Sequence, residues 1–441
     1  MAAMAVVLLN LDAPLVEDGL FWWVPKALWV SENGFAVVLD QLPQAARPDA
    51  ELPPQWQGGL PDYAHPPLWY WTLALFLKLP LAPHHAVHVA ALPFAALFGA
   101  GCASLLRRAG GERAAWAAIV LPLVPPVAAQ LLRADTDLPL LAATPWALVF
   151  ILDRRDGPFA VVAALATWCK EPGILLAAPA LVACLADRRW GWGWLAPPVA
   201  LAAWAGLHFA VAGWGLAGTE RLPETLGQWL QDLGTVLWIV VGEQWRWLLL
   251  PAAALGLWRW TPRRRVLAIV AVHTAVQLVF FGTLNFLGGI DRVDAYTHVR
   301  YLLPGLLGWL VMVLAASPPA AVVLAVVSAV FLHRPSPYGP ESSIYGLDVG
   351  RAVRAAQLPD EGPVWVGSYA WTQLTRPYAG VVSSPRDGLH VYGHDTDPAQ
   401  VRGTVVEASD GEPLGRLQEL NLVPTERFEV RHAWVQLYRV D

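Results

Sequence analysis

Long apolar stretches separated by short polar hinges fill the first three quarters of the chain. They cover residues 66–82, 86–106, 114–132, 138–152, 159–168 with 173–186, 194–213, 245–258, 266–284, 299–316 and 320–332. About 20 apolar residues cross hydrocarbon as a helix, which satisfies its own backbone polar groups there. Several of these runs are shorter than that. Residues 1–11, MAAMAVVLLNL, are about half a span and lack a basic n-region, so they read as a short first span rather than a cleaved signal. Past residue 332 the periodicity changes. VWVGSYA (364–370), GTVVEAS (403–409) and FEVRHAWVQLYRV (428–440) read as strands, while DVGRAVRAAQL (348–358) and PLGRLQELNL (413–422) read as helices. The pattern predicts an α-helical polytopic membrane domain over 1–332 and a small soluble α/β or α+β domain over 333–441.

Composition sharpens that division. The chain is 56% hydrophobic and 15% charged, and its tail beyond residue 332 carries about 22% charged residues against about 12% before it. A net charge of −5 supplies no phosphate-neutralising stripe, so a nucleic-acid partner is excluded. Cys102, Cys169 and Cys184 lie in apolar runs and read as small buried hydrophobes. No internal repeat, nucleotide loop or nucleophile elbow appears.

Arginine placement orients the spans, because short cytoplasmic loops concentrate Lys and Arg. Four loops carry it: Arg107, Arg108 and Arg113; Arg154 and Arg155; Arg188 and Arg189; Arg259, Arg263, Arg264 and Arg265. Placing all four on one side requires the run 66–82 to lie in or on the outer membrane surface. About eleven crossings remain, with the amino terminus inside and the tail outside, a multi-pass topology suited to an inner (plasma) membrane. The outer loops are then 12–85, 133–137, 169–172, 214–244 and 285–298.

The loop 12–85 is too long for a plain connection. In it PLVEDGLFWWVPKALWVSENG places Leu20, Trp23, Ala27 and Val30 at helical spacing, which predicts an interfacial helix with tryptophans at headgroup level. HPPLWYW follows, where His65-Pro66-Pro67 ends one segment and starts an apolar helix.

Ionisable residues gather on this outer side. Glu17 and Asp18 suit either a helix N-terminus or a general base on an acceptor hydroxyl. Asp135 and Asp137, in RADTDLPL, suit a capped turn, a hydrogen-bonded carboxylate pair or oxygen ligands for a divalent cation. Arg133 beside them anchors a span end or holds a phosphate. Lys170 and Glu171, in WCKEPGILL, follow a span of about ten residues, which recesses their charges to membrane depth. They either neutralise each other or serve a function. Arg300 and Tyr301 open a span, where the arginine either snorkels or captures phosphate. Glu243 and Arg246 suit a pair. His84, His85 and His88 lack a catalytic Glu beside them and read as an interfacial helix surface rather than a metal site.

In the order PLVEDG, SENG, HPPLWYW, RADTDLPL, WCKEPGILLAAP and VRYLLPG, residues 1–316 resemble the GT-C superfamily of membrane glycosyltransferases, especially its protein O-mannosyltransferase and aminoarabinose-transferase-like branch. That resemblance implies inverting transfer of a sugar from a polyprenyl-phosphate donor to a hydroxyl on a lipid, glycan or protein acceptor. It makes a first-loop acid, Glu17 or Asp18, the base; family members commonly read Asp-Glu where this chain reads Glu-Asp. Asp137, with Asp135 as the alternative, would orient the acceptor or bind a metal. Lys170, Arg133, Arg300 and His65 would hold donor phosphate, and Tyr63, Tyr301 and Glu171 would contact substrate. No cofactor is assigned, because the family does not uniformly use a cation.

A lipid-linked-sugar flippase or transporter is the competing reading. It would bring internal symmetry and charges along a mid-membrane path, neither of which this sequence has. A membrane scaffold that binds a partner through its tail is a third.

Overall fold

The computed structural model describes residues 1–16, 19–40, 42–43, 46–47, 65–133, 135–213, 223, 225–259, 264–283, 299–335, 343–383, 388–393, 396–409 and 414–440. Its helical part begins with α1 (Ala2–Leu8) and passes through a π-helical turn, Gly19–Trp23, into α2 (Val24–Asn33). Next come α3 (Leu68–Leu77), α4 (Pro83–Gly110), α5 (Glu112–Trp116), α6 (Pro125–Leu132), α7 (Asp137–Leu152), α8 (Asp156–Cys169) and α9 (Ala177–Ala186). The bundle continues with α10 (Ala196–Ala212), α11 (Leu226–Val241), α12 (Leu250–Arg259), α13 (Arg264–Thr283), α14 (Leu303–Ala316) and α15 (Ala320–Phe331). Prolines open α4 and α6, where a missing N–H costs nothing. Gly34, at φ +99°, closes α2 in the SENG string.

Among the described residues, three helices are long and apolar enough to cross a membrane, Pro83–Gly110, Gly193–Val211 and Arg265–Thr283. A fourth is reached if Glu112–Leu123 and Pro125–Leu132, bent by 65°, form one broken span. Six further apolar helices have 10–17 residues.

Ion pairs gather the arginine-bearing connections at one end of the bundle. Arg108 meets Asp153 at 2.6 Å, Arg154 and Arg265 meet Asp187 at 3.2 and 2.6 Å, and Arg189 meets Asp156 at 2.8 Å. These groups belong to the end of α4, the end of α7, the start of α8, the end of α9 and the start of α13, so one network ties all five helix ends together.

The helix over 19–33 differs from its expected placement. Leu20, Trp23, Ala27 and Val30 do form one face, but all four are buried in the main core with Trp69 and Leu73 of α3. Their stripe faces protein, not headgroups, because α3 covers it. The expected connection 214–244 contains α11, opened by a capping box between Thr225 and Gln228. Trp229 of α11 donates to Thr283 at 2.9 Å. Glu243 and Arg246 pair at 3.6 Å while both are buried.

The carboxy-terminal unit holds α16 (Tyr345–Ala355), β1 (Val364–Gly367), α17 (Ser368–Thr375), β2 (Leu389–Tyr392), β3 (Thr404–Ala408), β4 (Leu422–Val430) and β5 (Ala433–Val440). The strands form one mixed sheet in the order β2-β1-β3-β5-β4, parallel on both sides of β1 and antiparallel around β5. Three local expectations change here. The strand over 364–370 stops at Gly367, since Ala370, Trp371 and Leu374 reach the core as one face of α17. Residues 428–440 hold the end of β4 and all of β5, turning at Arg431 with φ +57°; alternation alone does not reveal a two-residue turn. Around 413–422 only the short 3₁₀ helix Gly415–Glu419 forms.

This unit docks on the segment between α1 and α2. Arg351 donates to Asn10 at 2.7 Å, Leu15 N–H donates to the Ala379 carbonyl at 2.8 Å, and the Tyr378 hydroxyl donates to the Leu20 carbonyl at 3.1 Å.

Candidate active site

Three breaks in the helical bundle bring charged side chains together. In the first, α6 ends at Arg133 and α7 begins at Asp137 with Thr136 as its N-cap. A carboxylate in the first turn is favoured by the helix dipole. Yet Asp135 and Asp137 are 0% and 3% exposed, far from the solvated turn that spacing alone allows. Arg133 is also buried.

The second break is Lys170-Glu171-Pro172-Gly173. Pro172 cannot continue α8, and Lys170 adopts an extended conformation (φ −155°, ψ 136°) before a 3₁₀ turn, Glu171–Leu176. Successive side chains of extended backbone point to opposite sides, so the two charges do not neutralise each other. Lys170 Nζ donates to Asp137 Oδ2 at 2.5 Å. Glu171 Oε2 lies 2.8 Å from His65 Nδ1.

Arg300 and Tyr301 come from a 3₁₀ turn, Val299–Leu302, that leads into α14. Arg300 Nε lies 3.6 Å from Asp137 Oδ2, and its Nη1 lies 3.7 Å from Asp135 Oδ2. Lys170 Nζ sits 4.1 Å from the Tyr301 ring centroid, and the Arg300 guanidinium sits 5.1 Å from it. Both cations are thus held against one aromatic face, a favourable arrangement for a ring quadrupole in a dry setting. Charges at this depth persist only when paired, and the two aspartates supply that pairing.

Trp23 completes one wall. Its indole N–H donates to Asp135 Oδ1 at 3.0 Å, and its ring lies 5.2 Å from His65 and 5.8 Å from Tyr70. Sequence reasoning placed Trp23 on a helix face but did not assign it to the site; its helical spacing was the available signal. The π-helical turn that carries it is a geometry often found at functional sites.

Asp135, Asp137, Lys170, Arg300 and Tyr301 therefore form one cluster, with His65 and Glu171 joined to it through Trp23 and through the chain at Lys170. Glu17, Asp18 and Tyr63 lie outside the described residues. His84 and His88 are buried rather than displayed on an interfacial surface, and His88 bonds the Ala13 carbonyl at 2.9 Å.

An open apolar cleft of about 550 Å³ is lined by Leu175, Ala275, Val276, Val279, Phe280 and Thr283. Leu175 belongs to the 3₁₀ turn that begins at Glu171, and Phe281 stacks on Tyr301 at 5.9 Å. The cluster and the cleft thus share structural elements.

Residues 64–214 match the family model described as dolichyl-phosphate-mannose-protein mannosyltransferase. That segment carries HPPLWYW, RADTDLPL and WCKEPG. In fold, the chain is similar to the crystal structure of ArnT from Cupriavidus metallidurans in the apo state. The TM-score is 0.51 at 15% identity, over 99% of this chain and 96% of that one. The segment 64–214 thus resembles that mannosyltransferase family, and the fold of the whole chain resembles that of ArnT. No curated protein sequence matches the chain. The buried aspartate-cation cluster, built largely from strings inside the matched segment, is the candidate active site.

Proposed function

We propose that this chain transfers a sugar from a polyprenyl-phosphate donor to a hydroxyl acceptor, with inversion, at the extracytoplasmic face of a bacterial inner membrane. The observation that carries this reading is the convergence of Lys170 and Arg300 on Asp135 and Asp137, in a cluster that shares the Glu171–Leu176 turn with an apolar cleft. A donor with a lipid tail and a phosphate needs that combination of apolar wall and fixed cations.

In this mechanism Glu17 or Asp18 accepts the proton of the acceptor hydroxyl. The freed oxygen attacks the anomeric carbon; the bond from that carbon to the phosphate oxygen breaks, and polyprenyl phosphate leaves with the electron pair. Lys170 and Arg300, assisted by Arg133 and His65, stabilise the departing charge. Asp135 and Asp137 act as positioning residues that hold these cations aimed and dry, rather than as ligands of a metal. Tyr301, Tyr63 and Glu171 shape the sugar and phosphate subsites.

The topology that accompanies this reading has about eleven crossings, with the amino terminus cytoplasmic. The membrane domain spans 1–332, and the domain over 333–441 is extracytoplasmic and covers the loop that carries the base. The contacts of Ala379 with Leu15 and of Tyr378 with Leu20 support that covering role.

The test is transfer from a labelled polyprenyl-phosphate hexose by the full chain in lipid vesicles. Loss of one oriented electrostatic stabiliser costs about 10²- to 10³-fold in kcat, the range expected for Lys170→Ala and Arg300→Ala. Removing the base, in Glu17→Ala or Asp18→Ala, should cost about 10²- to 10⁴-fold. Wild-type rates in all four variants would remove the proposed site.

A further inference from the structure

A second cluster of ligating side chains lies away from the aspartate-cation site. Asp12 follows α1, His84 and His85 open α4, and a ligand atom from each lies within 4.8 Å of the other two. His85 Nε2 is 3.3 Å and His84 Nε2 is 3.6 Å from Asp12 Oδ1. Zinc bonds to imidazole and carboxylate are about 2.0–2.2 Å long in tetrahedral geometry, which puts neighbouring ligand atoms roughly 3.3–3.5 Å apart. The His85 separation, 3.3 Å, falls at that edge length, and the His84 separation, 3.6 Å, lies 0.1 Å beyond it.

The state of His84 points the same way. Its side chain is only 8% exposed, yet neither ring nitrogen has a hydrogen-bond partner among the described residues. A buried polar group left without such a bond is costly, and a metal bond to Nε2 would satisfy one of the two nitrogens. His85 and Asp12 are accessible, at 39% and 76% side-chain exposure, and so provide an entry path.

The surroundings are built around this group. Arg354 of α16 donates to Asp12 Oδ2 at 2.7 Å, leaving Oδ1 to the histidines. Its other amino group donates to the Gly380 carbonyl. Gly380, at φ +77°, lies so close that a Cβ there would sit 2.6 Å from His84 Cγ. A second shell that fixes ligand orientation is typical of metal centres.

We propose that Asp12, His84 and His85 bind a divalent ion of the zinc class, with a water completing the tetrahedron. Two imidazoles and one carboxylate favour such an ion over magnesium or calcium. The ion fastens the segment after α1 to the start of α4, and through Arg354 and Gly380 it braces the docked carboxy-terminal unit. It is separate from the reaction proposed above.

The experiment is zinc titration by calorimetry of the chelator-stripped full chain in detergent. Wild type should take up one equivalent. Asp12→Asn and His85→Ala, both at accessible positions, should each bind at least about ten-fold more weakly, while His390→Ala on β2 should bind as wild type does. With cobalt in place of zinc, the wild-type protein should show the visible absorption of a tetrahedral ion, and His85→Ala should not. Absence of stoichiometric uptake by wild type, or unchanged binding in both Asp12→Asn and His85→Ala, overturns the assignment.

Discussion

Lys170 and Asp137 meet at 2.5 Å with both side chains almost fully enclosed. Arg300 approaches the same aspartate oxygen at 3.6 Å, so one carboxylate anchors two cations. Removing one partner of a buried pair is strongly destabilising, because a charge is left without compensation.

That sharing sets an order among variants. Asp137→Leu withdraws the common oxygen from both cations and should lower stability by about 3 kcal/mol or more. Lys170→Met leaves Arg300 on Asp137 and should cost less. Denaturant unfolding of the detergent-solubilised chain checks the ranking; equal losses in the two variants would contradict the shared anchor.

Trp23 offers a milder perturbation. Trp23→Phe keeps the aromatic wall but removes the indole donor from Asp135, a buried acceptor. Losing one such bond costs about 1–3 kcal/mol. Thermal unfolding should show that drop, while Trp22→Phe, on a partly exposed neighbour, should leave stability unchanged within about 0.5 kcal/mol.

Gly173 fixes how tightly the Lys170-Glu171 turn folds back on α8. A Cβ there would lie 2.5 Å from the Thr167 backbone nitrogen, a contact with backbone that no side-chain rotation relieves. Gly173→Ala should therefore destabilise by about 1–3 kcal/mol. It should also displace both Lys170 and Glu171, so transfer activity falls more than stability does. Gly157→Ala, where nothing lies within 4 Å, is the matched control and should retain activity.

Tyr438 on β5 gives a pH signature for the carboxy-terminal unit. Burial, together with its hydrogen bond to Glu407 and that carboxylate's charge, pushes its phenol up to about 12 from an ordinary value of 10.0. The raised value means the folded state retains the proton. Its contribution to stability is complete below pH 10 and disappears as pH rises through about 12. Alkaline difference spectra at the tyrosinate band should show this late-titrating group in wild type and lack it in Tyr438→Phe.

Apolar run lengths, arginine spacing and the ordered strings from PLVEDG to VRYLLPG made the membrane class, the grouping of the four arginine loops and the resemblance to GT-C enzymes readable from the chain alone. These are local or additive properties: hydrocarbon selects apolar length, and loop charge is counted loop by loop. Partner choice was not readable. Lys170 pairs with Asp137, 33 positions away, and Glu171 with His65, 106 positions away, although adjacency suggested that they neutralise each other. Leu20, Trp23, Ala27 and Val30 were legible as one helix face, but whether lipid or protein covers that face depends on where α3 packs. The meeting of Asp12 with His84 and His85 is not legible either, because nothing within either segment encodes the other's position. Tertiary structure decided these points, since low-dielectric pairing and side-chain burial depend on distances in space that periodicity along one element does not specify.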